Sequence, residues 1–270
     1  MLYYEVLNNN KEKWVMMLHC ICSNRTIFYN QIEEYSKYYN LILVDLPGHG
    51  KSSRYPLKFD YKDIIFDLIS ILNELKIEKV NIVSLSLGAI IASYFTYLKP
   101  NRVDKLIFEG ITAGFSIPVT KYMFLLFSKI KKAIPKKLYL KVIFYLIIPS
   151  KKYKKFRDEL IKNALIMNKS HLFEWFNLIS KYFFDFDKII KDDLLKSTRL
   201  KLFIMGKNDY MFLGKVKKDI PNSLYNKVVV LDKCGHFCNI DCKEEFSKIT
   251  VKFLNNYQKY YRESIYQKII

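Results

Sequence analysis

Val80-Asn81-Ile82-Val83-Ser84-Leu85-Ser86-Leu87-Gly88-Ala89-Ile90-Ile91 is the stretch that decides the fold. Val80–Val83 is a short apolar run of strand length, and a helix-like stretch, Leu87–Leu98, follows at once. The turn between them must be very tight. Small residues two before and two after its centre, Ser84 and Gly88, let the backbone reverse without clash. Such a turn presents the Ser86 hydroxyl at the carboxyl edge of a sheet. The helix behind it adds backbone N–H groups and the positive end of a dipole.

Working outward, strand-like runs fall at Trp14–Leu18, Leu41–Val44 and Val103–Phe108, and "LYYEVLNNN" near the start reads as a strand and turn. Helix-like stretches are roughly Ile27–Tyr38 and Tyr61–Leu75. In the latter, Ile64, Ile65, Leu68, Ile71, Leu72 and Leu75 recur at steps of three and four and form one buried stripe. The strands lack polar alternation, which suits a parallel sheet covered on both faces. Strand and helix in alternation imply right-handed βαβ units. After Gly110 the alternation stops, and residues from about 115 to 195 read as helices. It resumes with strands at Leu200–Met205 and Lys227–Leu231 and a closing helix, Glu244–Tyr257. The expected fold class is α/β: a doubly wound, mostly parallel sheet with an inserted all-helical cap. The core takes residues 1–114 and 196–270, and the cap takes 115–195.

With the loop Asp45-Leu46-Pro47-Gly48-His49-Gly50-Lys51-Ser52 added, the chain resembles the α/β-hydrolase superfamily over nearly its whole length. The pattern D-x-P-G-x-G-x-S ahead of the Ser-x-Ser-x-Gly turn carries much of that likeness. The resemblance implies a serine hydrolase with Ser86 as nucleophile and the order Ser, acid, His along the chain. Gly206-Lys207-Asn208-Asp209 ends one late strand, so Asp209 matches the family's acid position. Gly235-His236-Phe237 follows the next strand and looks like the family's histidine loop. The chain has four histidines. His171 lies in the helical block, His49 stands at a structural position of the family, and His19 serves its own loop, which leaves His236 as base. Asp232 and Asp241 are rival acids beside the histidine in sequence. For the oxyanion hole the resemblance implies the backbone N–H groups of Leu87 and Ile21. The family has His-Gly-x where this chain has His19-Cys20-Ile21, so a positive φ at Cys20 would be strained. A serine at 86 disfavours the related enzymes that use an aspartate nucleophile for halide or epoxide opening.

The 270 residues suit one large domain with an insertion, and 50% apolar and 16% aromatic residues can fill a sizeable core. The net charge of +19 points to an anionic partner or to compositional drift toward Lys, Ile, Tyr, Phe and Asn. Between Ile111 and Arg157 there are twelve Lys or Arg and no Asp or Glu. There Met123, Phe124, Phe127 and Ile130 share a helical face, with Lys129, Lys131 and Lys132 mostly elsewhere. Such a cap either makes weak contact with an anionic membrane or is a lid with solvated lysines. No basic segment leading into an apolar run opens the chain, so a cytoplasmic location without a signal peptide is expected. The five cysteines do not look like a disulfide framework. Cys234, His236, Cys238 and Cys242 are metal-ligand types, but the spacing is not a common zinc pattern and a metal on His236 would remove the base. Cys20, Cys22 and Cys234 near the site suggest redox sensitivity. Neither a metal nor a cofactor is required, and no nucleic-acid partner is implied.

The expected substrate is a small molecule with a hydrophobic acyl or aryl group. Phe115, Phe124, Phe127 and Trp175 are its candidate lining, and Glu109 or Glu174 would serve an amine. The expected chemistry is cleavage of an ester, thioester or related acyl bond. C–C bond hydrolysis, proline iminopeptidase and lactonase activity use the same residues. A non-catalytic ligand-binding or membrane-surface protein is the alternative of another class.

Overall fold

The computed structural model describes residues 1–111, 135–147, 154–210 and 212–255. Seven strands form one sheet: β1 (Tyr3–Leu7), β2 (Trp14–Leu18), β3 (Asn40–Asp45), β4 (Val80–Leu85), β5 (Val103–Glu109), β6 (Lys201–Gly206) and β7 (Asn226–Leu231). Their order is β1-β3-β2-β4-β5-β6-β7. β1 pairs antiparallel with β3, and every other pair is parallel. Every residue of β3, β4 and β6 is buried, which explains why their sequences do not alternate.

α1 (Tyr29–Ser36), α2 (Tyr61–Glu74) and α3 (Leu87–Leu98) cover the sheet. The Ile64, Ile65, Leu68, Ile71, Leu72 stripe of α2 is buried as its spacing predicts. A capping box of Asp60 and Asp63 starts that helix. α3 is buried along most of its length, so it runs through the core.

The described residues between β5 and β6 form α4 (Lys136–Ile147), α5 (Lys154–Ile166), α6 (Lys169–Lys181), α7 (Phe183–Lys188) and a π-helical turn at Ile189–Leu194. These helices reach the core at three polar points. Trp175 Nε1 donates to Pro47 O (2.9 Å), His171 Nε2 meets Tyr55 O (2.8 Å), and Tyr182 OH donates to Asp60 Oδ2 (2.5 Å). Trp175 is fully buried against His49 and Phe59, so it ties the insertion to the 45–52 loop. Phe115, Met123, Phe124, Phe127 and Ile130, and lysines 129, 131 and 132, lie outside the described residues.

After β6 come α8 (Leu213–Asp219), then β7, the one-turn α9 (Cys238–Asp241) and α10 (Lys243–Asn255). No helix among the described residues is long and apolar enough to cross a membrane. Cys234 and Cys242 form a disulfide, although the cysteine spacing does not look like a disulfide framework, while Cys20, Cys22 and Cys238 are free and buried. That bond removes two of the four metal-ligand types suggested for the 234–242 segment. The chain leaves β2 for β3 on one side and returns to β4 on the other. The crevice for a ligand in such a sheet lies at this reversal, beyond the carboxyl ends of β2 and β4.

Candidate functional site

Ser86 is the single residue between β4 and α3, with φ 51° and ψ −105°. This left-handed backbone costs a non-glycine residue about 1–3 kcal/mol and persists only where the surroundings enforce it. The Ser86 N–H donates to Glu109 O (2.9 Å), and its carbonyl accepts the Ala89 N–H (2.9 Å). Ser84 Oγ donates to Ile107 O (2.9 Å), fastening the approach to the turn. A Cβ on Gly88 would stand 2.0 Å from Leu18 O, so only glycine lets the first turn of α3 press against the end of β2. The Leu87 amide is in that first turn, which helix geometry leaves without an intrahelical acceptor.

Asp209 and His236 come together although 27 residues separate them. A turn closed by Asp209 N–H to Gly206 O (3.0 Å) sets the carboxylate just past β6. The histidine loop after β7 is shaped by Gly235 N–H donating to Asp241 Oδ2 (2.8 Å) and by the disulfide. His236 Nδ1 lies 2.8 Å from Asp209 Oδ2, both side chains being almost wholly buried. Nδ1–H donates in this pair, which leaves the Nε2 lone pair free to accept a proton. Phe212 and Phe237 flank the imidazole at 5.1 and 5.0 Å between ring centroids. The ring also lies against Gly110 (φ +59°), where a Cβ would come within 2.7 Å of His236 Cε1. Gly110 directly follows Glu109, whose carbonyl holds the Ser86 amide, so serine and histidine flank the same two residues. Of the rival acids, Asp232 is exposed and paired with Lys207 (2.8 Å), and Asp241 is spent on the loop backbone.

The other three histidines are committed to backbone. His19 Nε2 accepts the Leu46 N–H (2.9 Å), and its Nδ1 meets Cys20 O (2.7 Å). His49 Nε2 accepts the Cys22 N–H (2.9 Å), and its Nδ1 meets Pro47 O (2.9 Å). Burial pushes both pKa values down, to about 4 for His19 and about 3 for His49. The two rings cross-brace the 19–23 and 45–50 loops as neutral hydrogen-bonding groups. His171 is buried in α6 with Nε2 on Tyr55 O.

Ile21 lies in a turn closed by Ser23 N–H to Cys20 O (3.3 Å). The turn begins just past Leu18, the register partner of Ser84, which places it beside the nucleophile turn. Cys20 avoids the positive φ that would strain it, and Cys22 has φ 58°. Glu109 is fully buried with Oε1 on the Asn239 N–H (2.8 Å). The sequence marked Glu109 only as a partner for an amine, and it did not mark Gly110 or Asn239 as site residues. A carboxylate and a glycine directly past Val103–Phe108 were the available signal.

Burial pushes the Cys20 thiol above its usual range and the Cys22 thiol up to about 12, so neither is a ready thiolate. Among the described residues no group of three or more His, Cys, Asp or Glu is arranged to hold a metal.

Residues 13–137 match the family described as the alpha/beta hydrolase fold. Among curated proteins, (E)-2-((N-methylformamido)methylene)succinate hydrolase of Acinetobacter baylyi is 27% identical over 92 residues, 34% of this chain and 35% of that protein. The chain thus spans about a third of the length of that relative. Among solved structures, an esterase from Exiguobacterium antarcticum superposes with a TM-score of 0.77 at 21% identity, covering 94% of this chain and 96% of the other. The enol-lactonase from Burkholderia xenovorans gives a TM-score of 0.75 at 15% identity over 94% and 96%. At these identities the superpositions establish the fold.

Proposed function

We propose, from the premise that the chain belongs to the α/β-hydrolase superfamily, that it is a serine hydrolase cleaving an ester, thioester or related acyl bond. The observation that carries this reading is the buried 2.8 Å contact between His236 Nδ1 and Asp209 Oδ2 beside a strained Ser86. Ser86 Oγ attacks the acyl carbon while His236 Nε2 takes its proton. Asp209 fixes the tautomer and favours the imidazolium that forms. The oxyanion receives the amides of Leu87 and Ile21, and losing one such donor costs roughly 3 kcal/mol of transition-state stabilisation. His236 then returns the proton to the leaving group, and water attacks the acyl-enzyme by the same route in reverse.

The helices between β5 and β6 would act as a cap. They meet the core at the 45–55 loop, at Asp60 and at the histidine loop, where the rings of Phe156 and Phe237 are 4.5 Å apart. That placement supports a small hydrophobic acyl group as substrate.

An acyl-chain-length series of p-nitrophenyl esters and acyl-thioesters tests the proposal. Turnover of short and medium chains that is lost in Ser86→Ala is the expected result. Equal rates for the wild type and Ser86→Ala would reject it.

A further inference from the structure

Glu109 is a fully buried carboxyl group for which the proposed reaction has no use. It ends β5, and it makes two contacts that belong to different loops. Its main-chain carbonyl accepts the Ser86 N–H (2.9 Å), and its side-chain Oε1 accepts the Asn239 N–H (2.8 Å). Asn239 follows His236 by three residues, in the one-turn helix α9. Asn239 is itself fully buried and fixed on its far side. Its Nδ2 donates to Ile27 O (3.0 Å), and its carbonyl accepts Gln31 Nε2 (2.7 Å). Gly110, the next residue along, carries the imidazole ring against its missing side chain. One residue therefore joins the nucleophile turn to the histidine loop.

The geometry points to Glu109 as a positioning residue that, through Asn239, sets where the His236 imidazole stands relative to Ser86. This rests on Ser86 and His236 being the reacting pair. The charge on Glu109 follows from its surroundings. Burial, with the Asp241 carboxylate nearby, raises its pKa to about 8. The other titratable groups that feel it are the Cys238 and Cys20 thiols and the Tyr35 hydroxyl, and none of them is a cation. Oε2 has no hydrogen-bond partner among the described residues. At neutral pH Glu109 is thus a neutral acid that accepts backbone N–H groups of the 238–239 turn. Above about pH 8 it becomes a buried anion repelled by the Asp241 carboxylate that holds the Gly235 N–H, which disturbs the histidine loop.

Two variants separate positioning from mere packing. Glu109→Met keeps the volume and removes the acceptor. Glu109→Gln keeps an acceptor and cannot ionise. With a short p-nitrophenyl ester, Glu109→Met lowers kcat about 10- to 100-fold with KM nearly unchanged, since small displacements of a catalytic group have that effect. Glu109→Gln stays within about threefold of wild type at pH 7, and the fall in kcat above pH 8 disappears. The downfield Nδ1–H proton signal of His236, read on the resting protein, shifts or broadens in Glu109→Met and is kept in Glu109→Gln. An unmoved signal and unmoved kcat in Glu109→Met overturn the inference. So do identical pH profiles in wild type and Glu109→Gln, whether or not the Met variant folds. If no ester is turned over by any form, the histidine signal still scores Glu109, and only the hydrolase proposal falls.

Discussion

Two regions at the carboxyl edge of the sheet each hold buried imidazoles, and they use them in opposite ways. In the loops after β2 and β3, His19 and His49 have both ring nitrogens bound to backbone groups. In the loop after β7, His236 has one nitrogen on a carboxylate. Burial alone makes an imidazole inert by favouring its neutral form. A buried carboxylate on Nδ1 restores the value of protonating Nε2, because the resulting charge has a partner. The first pair braces the two loops and the third is the proposed base, and the difference lies in one acceptor.

Removing that acceptor gives the largest expected effect. Asp209→Asn leaves the loop intact but presents the wrong tautomer, and kcat should fall about 10⁴-fold. Steady-state kinetics with unchanged circular dichroism would check this. Next is Gly110→Ala, whose Cβ would press on His236 Cε1 and occupy a positive φ. A displaced ring should cost about 100-fold in kcat, with a lowered melting temperature. Breaking the histidine loop's staple is third. Cys234→Ser with Cys242→Ser opens a short ring, worth about 2–3 kcal/mol on the chain-entropy account. A urea titration under non-reducing conditions measures it.

The smallest effect belongs to the scaffold side and is one of pH. The folded pKa values of about 4 for His19 and about 3 for His49 lie below the ordinary 6.5. The stability they contribute is present above pH 6.5 and is lost as the pH falls toward those values, because the unfolded chain takes up protons first. Between pH 7 and 5 each histidine should account for roughly 2 kcal/mol of lost stability. His49→Gln, with no proton to gain, should lose about that much less. Equal acid sensitivity in the two proteins would show that His49 is not held neutral.

The parallel sheet was legible because its strands are buried on both faces and so are written as apolar runs. The tight turn at Ser86 was legible because its steric demand fixes residue types on either side. Asp209 and His236 were legible by their places past two late strands and by the family's order. Three features were not. The Cys234–Cys242 bond depends on how α9 folds the loop back, which spacing does not encode. The strained backbone at Cys22 accompanies a hydrogen bond from its amide to His49 Nε2, 27 residues away. The sequence offered Glu109 as an amine partner and not as a tie to the histidine loop, because Asn239 lies 130 residues away.

Labelling with a fluorophosphonate, followed by mass mapping of the modified peptide, tests the central claim most directly. The adduct should fall on Ser86, form much more slowly in Asp209→Asn, and vanish in Ser86→Ala. A folded wild-type protein that takes up no label, or takes it up at another residue, would contradict the account.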